Sequence, residues 1–461
     1  MRRMTSTRSS SLTCLALAGL FGLVGCDLDV EDLNNPGLDE LSDNPTPSGV
    51  SAACTGLLIG ARIGTAAANG YVAQLGILGR EAYNFDAADP RFVGELLGGA
   101  LNPASPFGGN FWAAPYGNIR IAEIVLDAVD RVPEFEGEQA SAIKGFVHTI
   151  KALDLLRVIT TRDEIGAVVE TDQEGLTLGP IATKEQTLDA IAGLLDDGAD
   201  ELAGGGDAFP FPLSSGFAGF DTPPTFLTFN RALRARVAAY QEDYDTVLSA
   251  LEDSFINDAP ASVADLEVGV YHSYSTGAGD ATNGLTNPNI FAHPSIVADK
   301  QDDDARVDRK IVQVPEEEAG GALGLTSDLK FTMYTSPTAP VPIIRNEELI
   351  LLRAEAHWGL GDLDLAADDL NIVRTVSGGL PELTAAQSDT ADEIEDEILY
   401  NRRYSLLFEG GHRWIDARRF GRLEDLPIDQ DGLVINARYP IPSQECDGRP
   451  GEPACAETSM E

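Results

Sequence analysis

The sequence predicts an all-α protein whose antiparallel helix pairs wind into a right-handed superhelical body with long irregular insertions. Three observations carry this expectation. In Glu393–Arg422, Ile394, Ile398, Leu399, Leu406 and Leu407 recur at helical spacing among charged residues, marking one long amphipathic helix. Residues Ala140 to Ile159 repeat the pattern, with Ile143, Phe146, Val147, Ile150, Leu153 and Leu156 three or four apart. Leu233-Arg234-Ala235, a Glu242-Asp243-Tyr244 turn, then Leu248 and Leu251 match Leu352-Arg353-Ala354, a Gly361-Asp362-Leu363 turn, then Ala367 and Leu370 at one constant offset. Small alanines let two helices approach and the Gly-Asp corner reverses the chain, as in a degenerate tetratricopeptide unit.

Taken in order, the chain opens on a targeting segment. Arg2, Arg3 and Arg8 precede an apolar run, Leu12 to Val24, that is too short to span a bilayer. It ends at Leu23-Val24-Gly25-Cys26, a lipobox-like sequence, so residues 1–25 read as a lipoprotein signal peptide and Cys26 as the lipidated residue. Residues 26–48, rich in Asn, Asp and Pro, read as a flexible tether, and 49–461 as a single domain. Helical periodicity starts near Val50. An irregular insertion is expected over 71–115, where aromatics sit among glycines and prolines. Helices are expected over Trp112–Val132, Ala140–Ile159, Thr187–Leu202 and Phe229–Phe255, and a second insertion over 259–342.

Near the end, Gly410-Gly411 is expected to break the long helix through positive φ. Arg413 and Asp416, beside Trp414, are expected to form buried ion pairs with the preceding helix. Cys446 and Cys455 flank a Gly/Pro-rich turn and are expected to form a disulfide. Cys54 is left as a buried free thiol.

Several of these stretches resemble the SusD/RagB family of nutrient-binding outer-membrane lipoproteins. Phe408-Glu409-Gly410, Arg413-Trp414, Asp416 and Arg418-Arg419 match its terminal pattern, with Asn401 and Ser405 where the family usually has Glu. Asp303-Asp304-Ala305-Arg306, the Arg345…Glu348 and Ala354-Glu355-Ala356 helix, and Tyr439-Pro440-Ile441-Pro442 with Glu445 match further elements. The resemblance implies a surface-exposed lipoprotein, held on the outer membrane by its N-terminal lipid. It would capture a glycan or peptide nutrient for a SusC-like TonB-dependent transporter. A periplasmic tetratricopeptide-type scaffold, tethered by the same lipid, is the alternative.

The formal net charge of −42 opposes a nucleic-acid partner, because phosphates would be repelled. No HExxH, paired CxxC, G-x-S-x-G or Walker A sequence is present, so no catalytic residue, metal or cofactor is expected and the chain reads as a binding protein, not an enzyme. Asp302-Asp303-Asp304 and Asp429-Gln430-Asp431-Gly432 lack the closing Glu of a calcium loop. A sugar ring stacks on aromatics and needs amide or carboxylate partners for its hydroxyls. Tyr83, Phe107, Tyr271, Tyr274 and Asn283, in the two irregular stretches, are therefore the candidate ligand residues. Glu409, Arg413, Trp414 and Asp416 are the candidate structural set.

Overall fold

A computed structural model describes residues 38–135, 137–171, 177–278, 280–320 and 323–460. The signal segment, Cys26 and the first part of the expected tether lie outside the described residues. The rest of that tether is not free chain. Leu38–Asp43 is helical, and the next helix already begins at residue 47. Leu41 is buried in the core, and Arg131 Nη1 donates to the Ser42 carbonyl across 2.6 Å.

Among the described residues, the helices of eight or more residues are α1 (Pro47–Arg62), α2 (Tyr71–Leu78), α3 (Ala113–Val129), α4 (Glu138–Arg162), α5 (Lys184–Ala203) and α6 (Pro223–Gln241). They continue with α7 (Tyr244–Glu252), α8 (Asn346–Leu360), α9 (Leu363–Val373), α10 (Ala391–Ser405) and α11 (His412–Arg419). From α3 to α7 each helix packs on the next. The α6–α7 hairpin then stacks on α8–α9, and α10 covers both α8 and α9. This is an all-α helical-repeat architecture. Local chemistry sets the ends: Thr183, Thr222 and Thr390 each form a capping box, with Gln186, Thr225 and Glu393. Pro223 at the first position starts α6 earlier than the periodicity suggests.

The two hairpins that look alike in sequence turn alike. Glu242 closes α6 at φ 60° and Gly361 closes α8 at φ 85°, both left-handed, at the matched position.

The expected insertions are more ordered than their composition suggests. Tyr71–Leu78 is a helix, with all but its first residue buried. Strand β1 (Ala82–Asn84) pairs with a strand of the second insertion, Ile290–Ala292, placing Tyr83 opposite Phe291. The second insertion also holds Gly269–His272, paired with Val341–Arg345, and the hairpin Ile311–Gly320 with Leu325–Phe331. The two stretches, α2 included, thus build one body, with its own apolar cluster, against α10 and α11. A larger cluster lies among α1 and α3–α7, and a small one among α8–α10. No helix among the described residues is long and apolar enough to cross a membrane.

Candidate ligand-binding clefts and the charged lattice behind them

The break after α10 is made differently from the sequence expectation. Gly411 adopts φ 77°, but the other left-handed residue is Phe408, at φ 57°, and not Gly410. Phe408 is fully buried, its ring stacked on Phe331 at 4.2 Å. Packing therefore holds a non-glycine residue in a conformation that glycine normally supplies.

Around this corner lies a lattice of buried charges. Glu409 accepts from Lys310 Nζ at 3.0 Å and Arg345 Nε at 2.9 Å, and Arg345 also pairs with Glu347. Arg236 holds Glu348 at 2.7 Å. Burial alone would raise both acids, but Arg345 beside Glu347 and Arg236 beside Glu348 outweigh it and hold each carboxyl at about 2. Arg306 pairs with Asp304 at 2.7 Å and donates to Asn401 Oδ1 at 2.9 Å and Ser405 Oγ at 3.0 Å. Asn401 and Ser405, the departures from the family pattern, accept here in place of carboxylates.

The expected ion pairs of Arg413 and Asp416 need correcting. Asp416 is salt-bridged, to Arg402 of α10 at 2.7 Å and Arg419 at 3.2 Å. The preceding helix thus supplies a base to this pair. Arg413 forms no ion pair among the described residues; its Nη1 donates to the Arg80 carbonyl at 2.7 Å. The acids of α10 reach other partners, Glu397 for one pairing with Arg374 at 2.6 Å. Trp414 is fully buried, donating its indole N–H to the Asn436 carbonyl at 2.8 Å under the Arg418 guanidinium.

The candidate ligand residues do not converge on one surface. Tyr83 is 1% exposed and donates to Asp429 Oδ2 at 2.7 Å, an oxygen that His293 Nε2 also reaches at 2.7 Å. Those two bonds, the histidine's first, hold the Asp429 carboxyl down at about 2 against burial. Phe107, 1% exposed, packs edge-on to Phe92. Asn283, 1% exposed, donates to the Ala339 carbonyl and accepts from the Leu285 N–H, both at 2.8 Å. These three are interior residues, not ligand platforms, because the Gly/Pro-rich stretches that carry them fold into a core. Tyr271 is half-buried on its strand, its hydroxyl donating to the Glu267 carbonyl. Tyr274, 6% exposed, borders a groove of about 330 Å3 with Ser273, Ser275 and Thr55, where Arg62 pairs with Asp280.

A second cleft, of about 380 Å3, went unforeseen. It opens between the start of α3, residues 168–171 and 177–179, and residues 442–449. Trp112, 4% exposed, and the half-buried Tyr116 wall it, ring centroids 4.8 Å apart. The Trp112 indole N–H donates to Glu445 at 3.3 Å. Glu445 also accepts from Arg449 Nε at 2.6 Å, and Arg449 Nη1 reaches the Gly179 carbonyl at 2.6 Å. The Cys446–Cys455 disulfide closes the segment bearing Arg449. Arg120 and Gln444 stand exposed at the rim. The spacing of Trp112 and Tyr116, one turn apart at a helix start, was the only sequence signal. Arg120, Gln444 and Arg449 carry none.

Among the described residues no group of three or more His, Cys, Asp or Glu could hold a metal ion. Asp304 is committed to Arg306, and Asp429 to Tyr83 and His293.

Fold and site together define a helical-repeat protein with surface clefts of ligand size. Residues 325–453 match the SusD family model. A SusD-like carbohydrate-binding protein from Bacteroides fragilis NCTC 9343 superposes with a TM-score of 0.68 at 15% identity, over 88% of this chain and 98% of that one. A SusD superfamily protein from Bacteroides vulgatus ATCC 8482 gives 0.65 at 13% identity, over 90% and 98%. Another from Bacteroides fragilis gives 0.64 at 17% identity, over 87% and 98%. At these identities the superpositions establish the fold. A search of curated protein sequences finds no match. Residues 325–453 thus carry the SusD family's sequence pattern, on a body with the SusD fold.

Proposed function

We propose that this chain is a lipid-anchored outer-membrane protein, facing the exterior, that captures a glycan and passes it to a SusC-like TonB-dependent transporter. The observation that carries the binding role is the 380 Å3 cleft, which combines an aromatic wall with guanidinium and amide groups at its rim. A saccharide offers an apolar ring face and a set of hydroxyls to match. Support for the class of ligand comes from the family and from the carbohydrate-binding relative of the same fold. Support for the anchor comes from the lipobox-like run ending at Cys26.

A glycan array followed by calorimetry with the best hit tests the reading. Arg120→Ala and Gln444→Ala each remove an exposed rim group, so each should weaken binding by about tenfold without loss of fold. Unchanged affinity in both, with loss in Thr55→Ala and Ser275→Ala, would move the site to the groove beside Tyr274. Absence of any glycan ligand would overturn it. Co-purification of a β-barrel transporter, with protease accessibility on intact cells, separates surface capture from a periplasmic scaffold.

A further inference from the structure

The seam between the two large apolar clusters contains a polar chamber of about 90 Å3, with room for several waters or one small ion. It sits where α4 and α6 meet α2, Gly269–His272 and the start of α11. Thr65, 6% exposed, and His412, 9% exposed, border it, and neither Thr65 Oγ1 nor His412 Nδ1 has a protein partner. Arg157 lines the same chamber. Its Nη1 donates to the Ala61 carbonyl at 3.2 Å, its Nε is unpartnered, and it forms no ion pair among the described residues. Orphaned groups at this depth cost free energy unless something polar answers them.

The charge in the chamber is one-sided. Arg236 is neutralised by Glu348, and Glu409 by Arg345 and Lys310. His272 is driven down to about 3, first by burial and then by Arg157 and Arg62, with no acid opposing them. Asp154 is the one acid in the lining without a basic ion-pair partner among the described residues; it bonds Asn118, and burial lifts its carboxyl to about 7, so near neutral pH it only partly offsets Arg157. A chain with 74 acidic and 32 basic residues has therefore placed a half-buried guanidinium here with no salt-bridged carboxylate among the described residues.

We propose that this chamber binds a small carboxylate-sized oxyanion, with Arg157 as its counter-charge and Thr65 and His412 as hydrogen-bond partners. The site is separate from both surface clefts and does not depend on which of them takes the nutrient. A guanidinium is the natural partner for a two-oxygen anion, because its donors match both oxygens. Water alone would answer the orphaned atoms but not the charge.

Melting of the full protein in increasing sodium acetate, against sodium chloride at equal ionic strength, tests the proposal. The expected result is a saturable rise in midpoint specific to acetate. Arg157→Gln should abolish that rise. Thr65→Val keeps the side-chain shape and should shift half-saturation upward by about tenfold. If Arg157→Gln does not fold, Thr65→Val decides. Equal responses to acetate and chloride in the wild type would overturn the proposal. An undiminished acetate response in Thr65→Val would also overturn it.

Discussion

Arg402 on α10 donates through Nε to Asp416 on α11 at 2.7 Å, and both side chains are almost wholly buried. The two helices diverge at the Phe408–Gly411 corner, and this pair is one of the bonds that fix their angle. Asp416 also holds Arg419, which reaches Glu355 of α8, so one carboxylate links three helices. Removing one member of a buried pair strands the other charge, at a cost of about 3–5 kcal/mol. Asp416→Ala should therefore lower the denaturant midpoint strongly. Arg413→Ala loses a bond to a carbonyl and the positive charge near buried Glu81, and should cost less, about 1.5–3 kcal/mol. Equal losses in the two variants would contradict the assignment.

The matched turns make an opposite pair of predictions. Glu242 is exposed and left-handed, a conformation costing a non-glycine residue about 1 kcal/mol. Glu242→Gly should raise the melting temperature, and Gly361→Ala should lower it by a comparable amount. Calorimetry on both variants checks the sign.

The disulfide closes a short segment, with nine residues of separation between Cys446 and Cys455. Peptide mapping of unreduced protein should recover the two halves joined. Cys446→Ser with Cys455→Ser should cost roughly 2–3 kcal/mol on chain-entropy grounds. It should also loosen Arg449, and through Glu445 the Trp112 wall of the larger cleft. Indole fluorescence reports that change.

Asp154 sets a pH dependence. Its folded carboxyl sits at about 7, raised chiefly by burial, so between about 4 and 7 the native state binds a proton that the unfolded chain has released. Its contribution to stability is therefore lost as pH rises through that window. Asp154→Asn removes the effect, so the variant should gain on the wild type between pH 5 and pH 8, at most by roughly 1.4 kcal/mol per unit of the shift. Glu347 and Glu348, held at about 2, act in the other sense: their stabilisation is present above the ordinary glutamate range and is lost as pH falls toward 2. Chemical denaturation across pH 3 to 8 separates the two trends.

The proposed membrane attachment rests on one residue. Because Cys26 closes the lipobox-like run, Cys26→Ser should abolish incorporation of radioactive fatty acid and release or mis-process the protein. Undiminished label would remove the lipid anchor from this account.

The sequence by itself determined most of the long helices, the two matched hairpins and the resemblance to the SusD family. Helical spacing is a one-dimensional signal: Ile394 and Ile398, or Phe146 and Ile150, share a face because of the backbone period alone. The Glu242 and Gly361 corners were legible for the same reason, since each is local. The interior of the insertions was not. Tyr83, Phe107 and Asn283 looked like ligand residues because glycine and proline around them signal loops, and burial of a loop aromatic depends on segments far away in the chain. Only the tertiary structure pairs Tyr83 with Phe291 and Asp429, and brings Trp112 beside Glu445. It also decided the partner of each buried charge. An arginine can reach any acid its neighbours present, so Asp416 met Arg402 while Arg413 was left with a carbonyl. Spacing fixes which residues share a helix face; which charges neutralise one another, and where a cleft opens, is settled by how those faces are folded together.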